Sequence, residues 1–395
     1  MRVAYVCADP GVPVFGRKGS SIHVQEILRG LIKHGARIDL FATRTGGDPG
    51  PDLRAVTVHP LPALPKGETA AREQAALANN YDLLNALARA GAFDLVYERY
   101  SLWSFAGMDY ARARRIPGLL EVNTPLIEEQ ARYRGLVDRA GAEWVAERVF
   151  GAASALLGVS ASVVGYLRPY ASDRVHLVPN GVNPERFPPD SVSPGAAHDG
   201  KFTIGFVGTL KPWHGLPVLV DAFAALHEKD PKTRLLIVGD GDERAGLEEA
   251  LQARGVLEHT RFTGAVPPHE IPALLAIMDV AVAPYPRLEN FYFSPLKVYE
   301  YMAACVPVVA SRIGQLDGLI THDVNGLLCA PGDAEDLANA LDRLRQAPGL
   351  RIRLAAAARA DILEKHTWDG VARRILELAE LGSPRAGGHA AKAVL

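Results

Sequence analysis

Lys297 and Glu300 stand three residues apart in the stretch NFYFSPLKVYEYMAA, residues 290–304. On a helix that spacing puts both side chains on one face. Ser294 is a favoured N-cap and Pro295 a favoured first helical residue, which places Lys297 at the third helical position. A cation there opposes the helix dipole unless an anion occupies the helix start. Free backbone N–H groups and an ammonium together make a phosphate site. The Glu300 carboxylate can accept both hydroxyls of a ribose diol. The surrounding residues are too apolar for an ordinary solvated Lys–Glu pair. A second set of such residues follows the run FTIGFVG: the turn GTLKPWHG (208–215) carries Gly208, Lys211, His214 and Gly215. Lys211 is suited to neutralising a pyrophosphate, while His214 is equally open to a structural role. Near the start, DPGVPVFGRKGSSIHVQE has Gly16 and Gly19, which let backbone approach a ligand, and Ser20 and Ser21, which open a helix. This loop is neither a G-x-G-x-x-G fingerprint nor a Walker loop. The segment VGDGD contains Asp240 and Asp242, a D-x-D pattern that a metal-bound nucleotide can use, but a strand-end turn explains it as well. No metal or other cofactor is expected.

These residues need a scaffold, and composition bounds it. The chain has 395 residues, 48% hydrophobic and 22% charged, with a formal net charge of −2. At roughly 100–200 residues per domain, two or three domains are expected, each able to bury a core. There is no basic excess and no nucleic-acid-binding motif, so no nucleic-acid partner is expected. Cys7, Cys305 and Cys329 are too sparse and scattered for a disulfide framework or a zinc site. The opening MRVAYVCADP reads as a first strand rather than a leader. No run reaches the roughly 20 apolar residues of a membrane span. The expected location is the cytoplasm, with peripheral contact at the inner face of the membrane left open.

Short apolar runs recur along the chain. They are RVAYVCA, RIDLFAT, FDLVYERY, GLLEV, ALLGVS and VHLVPN in the first half, then FTIGFVG, TRLLIVGDG, RFTG, VAVAPY, VPVVAS and GLLCAP. Such runs suit parallel strands buried on both faces. Helical patterns lie between them, as in SSIHVQEILRGLIKHG, which stops at Gly35. The expected fold is α/β, with two doubly wound Rossmann-like domains facing across a cleft. The Pro- and Gly-rich stretch 180–201 reads as the linker, giving domains 1–180 and 181–366. Further helical patterns cover 333–346 and 350–381, and residues 383–395 read as a frayed tail.

The ordered series VPNGV, the glycine turn with basic residues, VGDGDER, FTGAV, MDVAVAPY and LKVYEYMAACVPVVAS resembles family 4 of the nucleotide-sugar glycosyltransferases, with the GT-B fold. The likeness spans roughly residues 1–380 and is densest over 176–331. It implies transfer of a sugar from a nucleoside diphosphate sugar to a hydroxyl acceptor (a glycan, a lipid-linked molecule or a small molecule), with retention of configuration and no essential metal. Cell-envelope or exopolysaccharide synthesis is the kind of setting it suggests. It also implies that a last helix, about 367–382, packs back on the first domain. By position Glu300 matches the second glutamate of the family's E-x(seven)-E motif, the ribose ligand. The first glutamate's place is held by Tyr292, with Glu289 the nearest acid, and the Phe-Gly pair is replaced by Ser294-Pro295. The basic residues of the glycine turn fall on Thr209 and His214, with Lys211 between them. The resemblance thus marks a variant subgroup with an SPLK…E motif, in which Lys211 and Lys297 restore the phosphate charge. Gly16, Gly19, Ser20, Gly208, Thr209, His214, Val266, Ser294, Leu296 and Glu300 are the donor-side candidates. In EVNTPLIEEQ, read as a loop at a strand end, Asn123 is a catalytic candidate beside Lys211 and Lys297, and Glu128 and Glu129 are acceptor-side candidates. Rival readings are a nucleotide-sugar 2-epimerase, which needs a carboxylate set that is not evident, and an inactive sugar-nucleotide-binding partner subunit.

Overall fold

The computed structural model describes residues 1–188, 200–289, 291–292, 294 and 296–382. Linker residues 189–199, Pro295 and the tail 383–395 lie outside the described residues. Strands and helices alternate from the first residues onward. In the first half they are β1 (Arg2–Cys7), α1 (Gly19–Lys33), β2 (Arg37–Ala42), β3 (Thr57–Pro60), α2 (Thr69–Ala90), β4 (Leu95–Arg99) and α3 (Ala106–Arg114). They continue as β5 (Gly118–Val122), α4 (Leu126–Tyr133), α5 (Arg139–Ala152), β6 (Ala155–Gly158), α6 (Ala161–Ala171) and β7 (Val175–Leu177). In the second half come β8 (Phe202–Val207), α7 (Leu216–Lys229), β9 (Thr233–Val238), α8 (Arg244–Ala253), β10 (Thr260–Phe262), α9 (Ile271–Ala276) and β11 (Val280–Ala283). They are followed by α10 (Leu296–Ala303), β12 (Val308–Ser311), α11 (Gln315–Leu319), β13 (Leu327–Cys329), α12 (Ala334–Gln346), α13 (Pro348–Lys365) and α14 (Trp368–Leu381).

Two parallel sheets result, with strand orders β3-β2-β1-β4-β5-β6-β7 and β10-β9-β8-β11-β12-β13. Each is doubly wound, and its order reverses between two strands: β1 and β4 in one sheet, β8 and β11 in the other. Ligands of such sheets lie beyond the carboxyl ends of strands at that reversal. The apolar runs are buried as parallel strands require: Val3 to Cys7 and Val280 to Ala283 are all 0% exposed. Strand β3 comes from no apolar run. It is a four-residue edge strand, exposed or half-buried, paired only with β2.

The chain divides into two compact units, and the boundaries are not contiguous in sequence. One holds Met1–Asn180 with Tyr292–Ser294 and the C-terminal segment from Trp368. The other holds Gly181–Phe291 and Pro295–Thr367. In the first unit α1 ends in a Schellman arrangement, with Gly35 at φ +82° and the Ala36 N–H donating to the Leu31 carbonyl. Helix α14 lies on α1, where a Cβ at Gly30 would come 2.7 Å from the Ala372 Cβ. The helical pattern over 350–381 is two helices, because the His366 carbonyl accepts from the Val182 N–H at 2.9 Å, and Thr367 bridges to Val182. The stretch 180–201 is only in part a linker. Pro184–Arg186 form one helical turn, and Phe187 is fully buried with its carbonyl held by Arg359.

Candidate active site

In the second unit the strand-order reversal gathers the turn after β8, the segment after β11 and the start of α10. Gly208 follows β8 at φ +148°, and an added Cβ would fall 2.9 Å from the Lys297 Nζ. Gly239, at φ +141°, has room only for hydrogen, since a Cβ would sit 2.0 Å from the Gly208 carbonyl oxygen. The glycines of VGDGD therefore serve the close approach of two strand-end turns. Gly215, at φ +68°, is pressed in the same way against the Pro284 carbonyl.

Lys297 is the second residue of α10 as described, one position earlier in the helix than the Ser-Pro start implied. The Ser294 hydroxyl is buried without a hydrogen-bond partner, so it does not cap the helix, and its residue belongs to the first unit. Leu296 opens α10 half-buried. The Lys297 ammonium lies 4.2 Å from the centre of the Phe206 ring and 5.6 Å from that of Tyr285. No acid is paired with it among the described residues. Burial pushes its pKa down to about 7. α10 is pinned to β8 by the Tyr301 hydroxyl, which accepts from the Val207 N–H at 2.8 Å.

His214 lies on the one-turn helix Pro212–His214. Its Nδ1 is 2.6 Å from the Thr209 carbonyl oxygen. A carbonyl only accepts, so Nδ1 carries the hydrogen and Nε2 is left as an acceptor. Burial, aided by the charge of Lys297, pushes the imidazole pKa down to about 3. His214 is thus neutral at physiological pH, its ring close to those of Phe206 and Tyr285. Lys211 is engaged otherwise: its ammonium is ion-paired with Asp242. Asp240 accepts from the Gly241 N–H and faces Arg244.

Glu300 meets a residue that sequence reasoning missed. Arg186 donates to one Glu300 oxygen at 2.5 Å and to the Pro268 carbonyl at 2.9 Å. It ties the carboxylate to the loop that carries half-buried Val266. The signal was weak, since Arg186 sits in a stretch whose prolines and glycines read as linker.

The first unit holds the remaining candidates. Asn123 follows β5, and its amide donates to Glu121 at 2.5 Å. Glu121 is buried and also takes His23 at 2.7 Å, the Tyr97 hydroxyl at 2.5 Å and Arg99 at 2.9 Å. Burial works against its ionisation, but the pull of His23, Arg99 and Tyr97 outweighs it and holds the carboxyl well below the usual carboxylate range. One amide hydrogen of Asn123 is committed to Glu121, which leaves the second to donate and the amide carbonyl to accept. Glu128 and Glu129 lie on α4 rather than in a loop. Glu128 pairs with Arg139, and Glu129 accepts from Thr124 at 2.8 Å and pairs with Arg134 at 3.0 Å. Gly16 sits in a loop tied back by Gln25, which donates to its carbonyl at 2.9 Å. Gly19 and Ser20 open α1, whose N-terminus has no side-chain cap. Tyr292 packs against the first unit's core, and its carbonyl accepts from Ser160 at 3.1 Å.

Two family descriptions match the chain: "Glycosyl transferases group 1" over residues 191–361 and "Glycosyltransferase Family 4" over residues 17–186. The D-inositol 3-phosphate glycosyltransferase of Actinosynnema mirum is 30% identical over 395 residues, covering 91% of each chain. That of Jonesia denitrificans is 29% identical over 420 residues, covering 96% of each. Among solved structures, HepE from Anabaena, determined with UDP and glucose, superposes with a TM-score of 0.74 at 20% identity, covering 96% of this chain and all of that one. The protein belongs to family 4 of the glycosyltransferases and has the GT-B fold. It is an enzyme that transfers a glycosyl group from a nucleotide sugar.

Proposed function

We propose that the enzyme is a retaining glycosyltransferase whose second unit binds a nucleoside diphosphate sugar and whose first unit supplies the groups that meet a hydroxyl acceptor. The observation that carries the donor assignment is Lys297. Its half-buried side chain is flanked by Phe206 and Tyr285, without an acid partner among the described residues, beside Gly208 at the reversal of the strand order. A half-buried cation without an acid partner at a helix start is suited to a diphosphate. Glycine at 208 leaves the phosphate oxygens room to approach the backbone. Glu300, held by Arg186 through one oxygen, keeps the other for the ribose diol. Neutral His214 offers an acceptor nitrogen for a sugar hydroxyl. Lys211, already paired with Asp242, contributes at longer range.

In the reaction the bond from the anomeric carbon to the diphosphate oxygen breaks, and the acceptor oxygen bonds to that carbon on the same face. The acceptor proton passes to the departing diphosphate. Charge stabilisation by Lys297 and the α10 start, and positioning by Asn123, are the protein's part in this step. No metal is needed when the leaving charge is met by lysine and helix. No described helix is long and apolar enough to cross a membrane. Peripheral contact with a membrane surface belongs to the same proposal, supported by exposed Tyr133, Val137 and Trp144.

Thermal-shift screening of UDP, GDP and ADP with their sugar conjugates tests the donor assignment. At least one of them should raise the melting temperature. Glu300→Gln should weaken the ribonucleotide more than its 2′-deoxy form. Equal losses for both would place Glu300 in a purely structural pair with Arg186.

A further inference from the structure

Glu121 is a carboxylate in the core of the first unit, 3% exposed. Donors from α1, β4 and the segment after β5 converge on it. One oxygen accepts from His23 at 2.7 Å and from the Tyr97 hydroxyl at 2.5 Å. The other accepts from Arg99 at 2.9 Å and from the Asn123 amide at 2.5 Å. Strand register explains the convergence. Arg99 stands opposite Glu121 in the β4–β5 pairing, and residues two apart on a strand share a face, so Tyr97, Arg99 and Glu121 fall on one side of the sheet. Helix α1 brings His23 to that side, where the Trp368 ring of α14 meets it edge-on.

An ionised carboxylate has about four acceptor sites, so these four donors fill it. The other titratable groups of this face do not compete. Burial pushes Tyr97, and Tyr5 on β1, far above the ordinary phenol range and Cys7 up to about 12, so all three stay neutral. A buried ion pair that ties β4 to α1 needs only Glu121, Arg99 and His23. Asn123 is the addition. It is half-buried and lies just past the carboxyl end of β5, the side on which ligands of such sheets lie. A carboxylate only accepts, so the amide nitrogen must face Glu121, which fixes a group that could otherwise turn over. The amide carbonyl makes no hydrogen bond among the described residues.

We propose that Glu121 is a positioning residue for glycosyl transfer: it holds the Asn123 amide nitrogen, so that the Asn123 carbonyl oxygen accepts from a substrate hydroxyl. The proposal rests on the glycosyl-transfer reading above. The hydroxyl belongs to the transferred sugar or to the attacking molecule.

Two measurements on the whole enzyme test it. The first is NMR of the wild type with isotope-labelled asparagine amides, the Asn123 signal being assigned by its loss in Asn123→Asp. One of its amide hydrogens should be shifted downfield and protected from solvent exchange. Both exchanging as fast as those of exposed asparagines would overturn the proposal. The second is the pH profile of donor hydrolysis, in which water replaces the acceptor. While protonated, the carboxyl introduced by Asn123→Asp donates to Glu121 and keeps its carbonyl free, as the amide does. Once ionised it is repelled by Glu121, and that repulsion raises its pKa above the ordinary carboxylate range. Activity relative to wild type should therefore fall by roughly tenfold or more as pH rises through neutrality. Glu121→Gln/Asn123→Asp, which lacks the repelling charge, should not show that fall in the neutral range. A rise in donor KM assigns the hydroxyl to the transferred sugar, and a fall in kcat alone assigns it to the attacking molecule. The proposal is overturned if Asn123→Asp, melting as the wild type does, keeps a constant ratio to wild type at every pH, or if the double variant shows the same fall. If Asn123→Asp does not fold, the amide measurement decides, with Asn123→Ser for the assignment. If the wild type hydrolyses no nucleotide sugar, the transfer reading fails, and the amide measurement still decides whether Glu121 orients Asn123.

Discussion

Lys297 combines three features that together suit a bound anion: half-burial, no acid among the described residues paired with it, and two aromatic rings within 4.2 and 5.6 Å. Lys297→Ala should leave the fold intact and weaken donor binding by about 1.5–3 kcal/mol, the worth of a charge-assisted hydrogen bond. That corresponds to roughly 10–150-fold in Kd, measurable by calorimetry; wild-type affinity in the variant removes the lysine from the site. The pKa makes a second prediction. A diphosphate beside an ammonium that titrates near 7 raises its pKa, so donor binding between pH 7 and 8 should take up a proton. Binding enthalpies in buffers of different ionisation enthalpy should then differ, and affinity should fall as pH rises above 7. Identical enthalpies in all buffers would show that Lys297 is already charged in the free enzyme. The folding linkage has a definite sign. An unfolded lysine keeps its proton to about 10.5 while the folded one sheds it near 7, so this residue makes stability rise with pH across that window. The types and spacing of Lys297, Glu300 and Gly208 were legible because they lie within short local motifs. Their partners were not. Arg186 lies 114 residues from Glu300, and Asp242 lies 31 from Lys211. Nothing local marks either pairing.

At the scale of elements, buried parallel strands announce themselves because both faces must be apolar, and each of the twelve apolar runs overlaps a strand. β3 escaped because Thr57–Pro60, a short edge strand, reads TVHP, with a single aliphatic side chain and so no apolar run. The helix break at His366–Thr367 escaped for another reason. It has neither proline nor glycine; it is made by backbone pairing with Val182, over 180 residues away in sequence. Glu128 and Glu129 were assigned to a loop, yet α4 begins at Leu126, directly after Pro125. The pairing of α14 with α1 can be tested through Gly30. A side chain there collides with Ala372 and the Trp368 carbonyl, which would lie 2.7 and 3.2 Å from a Cβ. Gly30→Leu should displace α14, lower the melting temperature by several degrees and open the chain to proteolysis near Thr367. Limited proteolysis that shows no new cleavage, with melting unchanged, would mean that this contact is dispensable.

At the scale of the molecule, alternation of strand and helix made two doubly wound sheets legible, while the strand orders that locate their reversals required the structure. Those reversals are where the donor-side candidates of the second unit gather. Gly208 and Lys297 lie beyond the ends of β8 and β11, and in the first unit a cavity lined by Asp9 and Ser101 lies beyond β1 and β4. In each unit the strand-order reversal is the position that such a fold leaves open for a ligand. The central claim, metal-independent transfer with retention from a nucleoside diphosphate sugar, is tested most directly by proton NMR of slow donor hydrolysis, in which water stands in for the acceptor. The spectra are recorded in EDTA with the donor selected by thermal shift. An α-linked donor should yield the α-anomer of the free sugar first, before mutarotation, at a rate that Lys297→Ala reduces at least tenfold. Release of the β-anomer first, or activity that disappears with EDTA and returns with Mg²⁺ or Mn²⁺, would contradict the account.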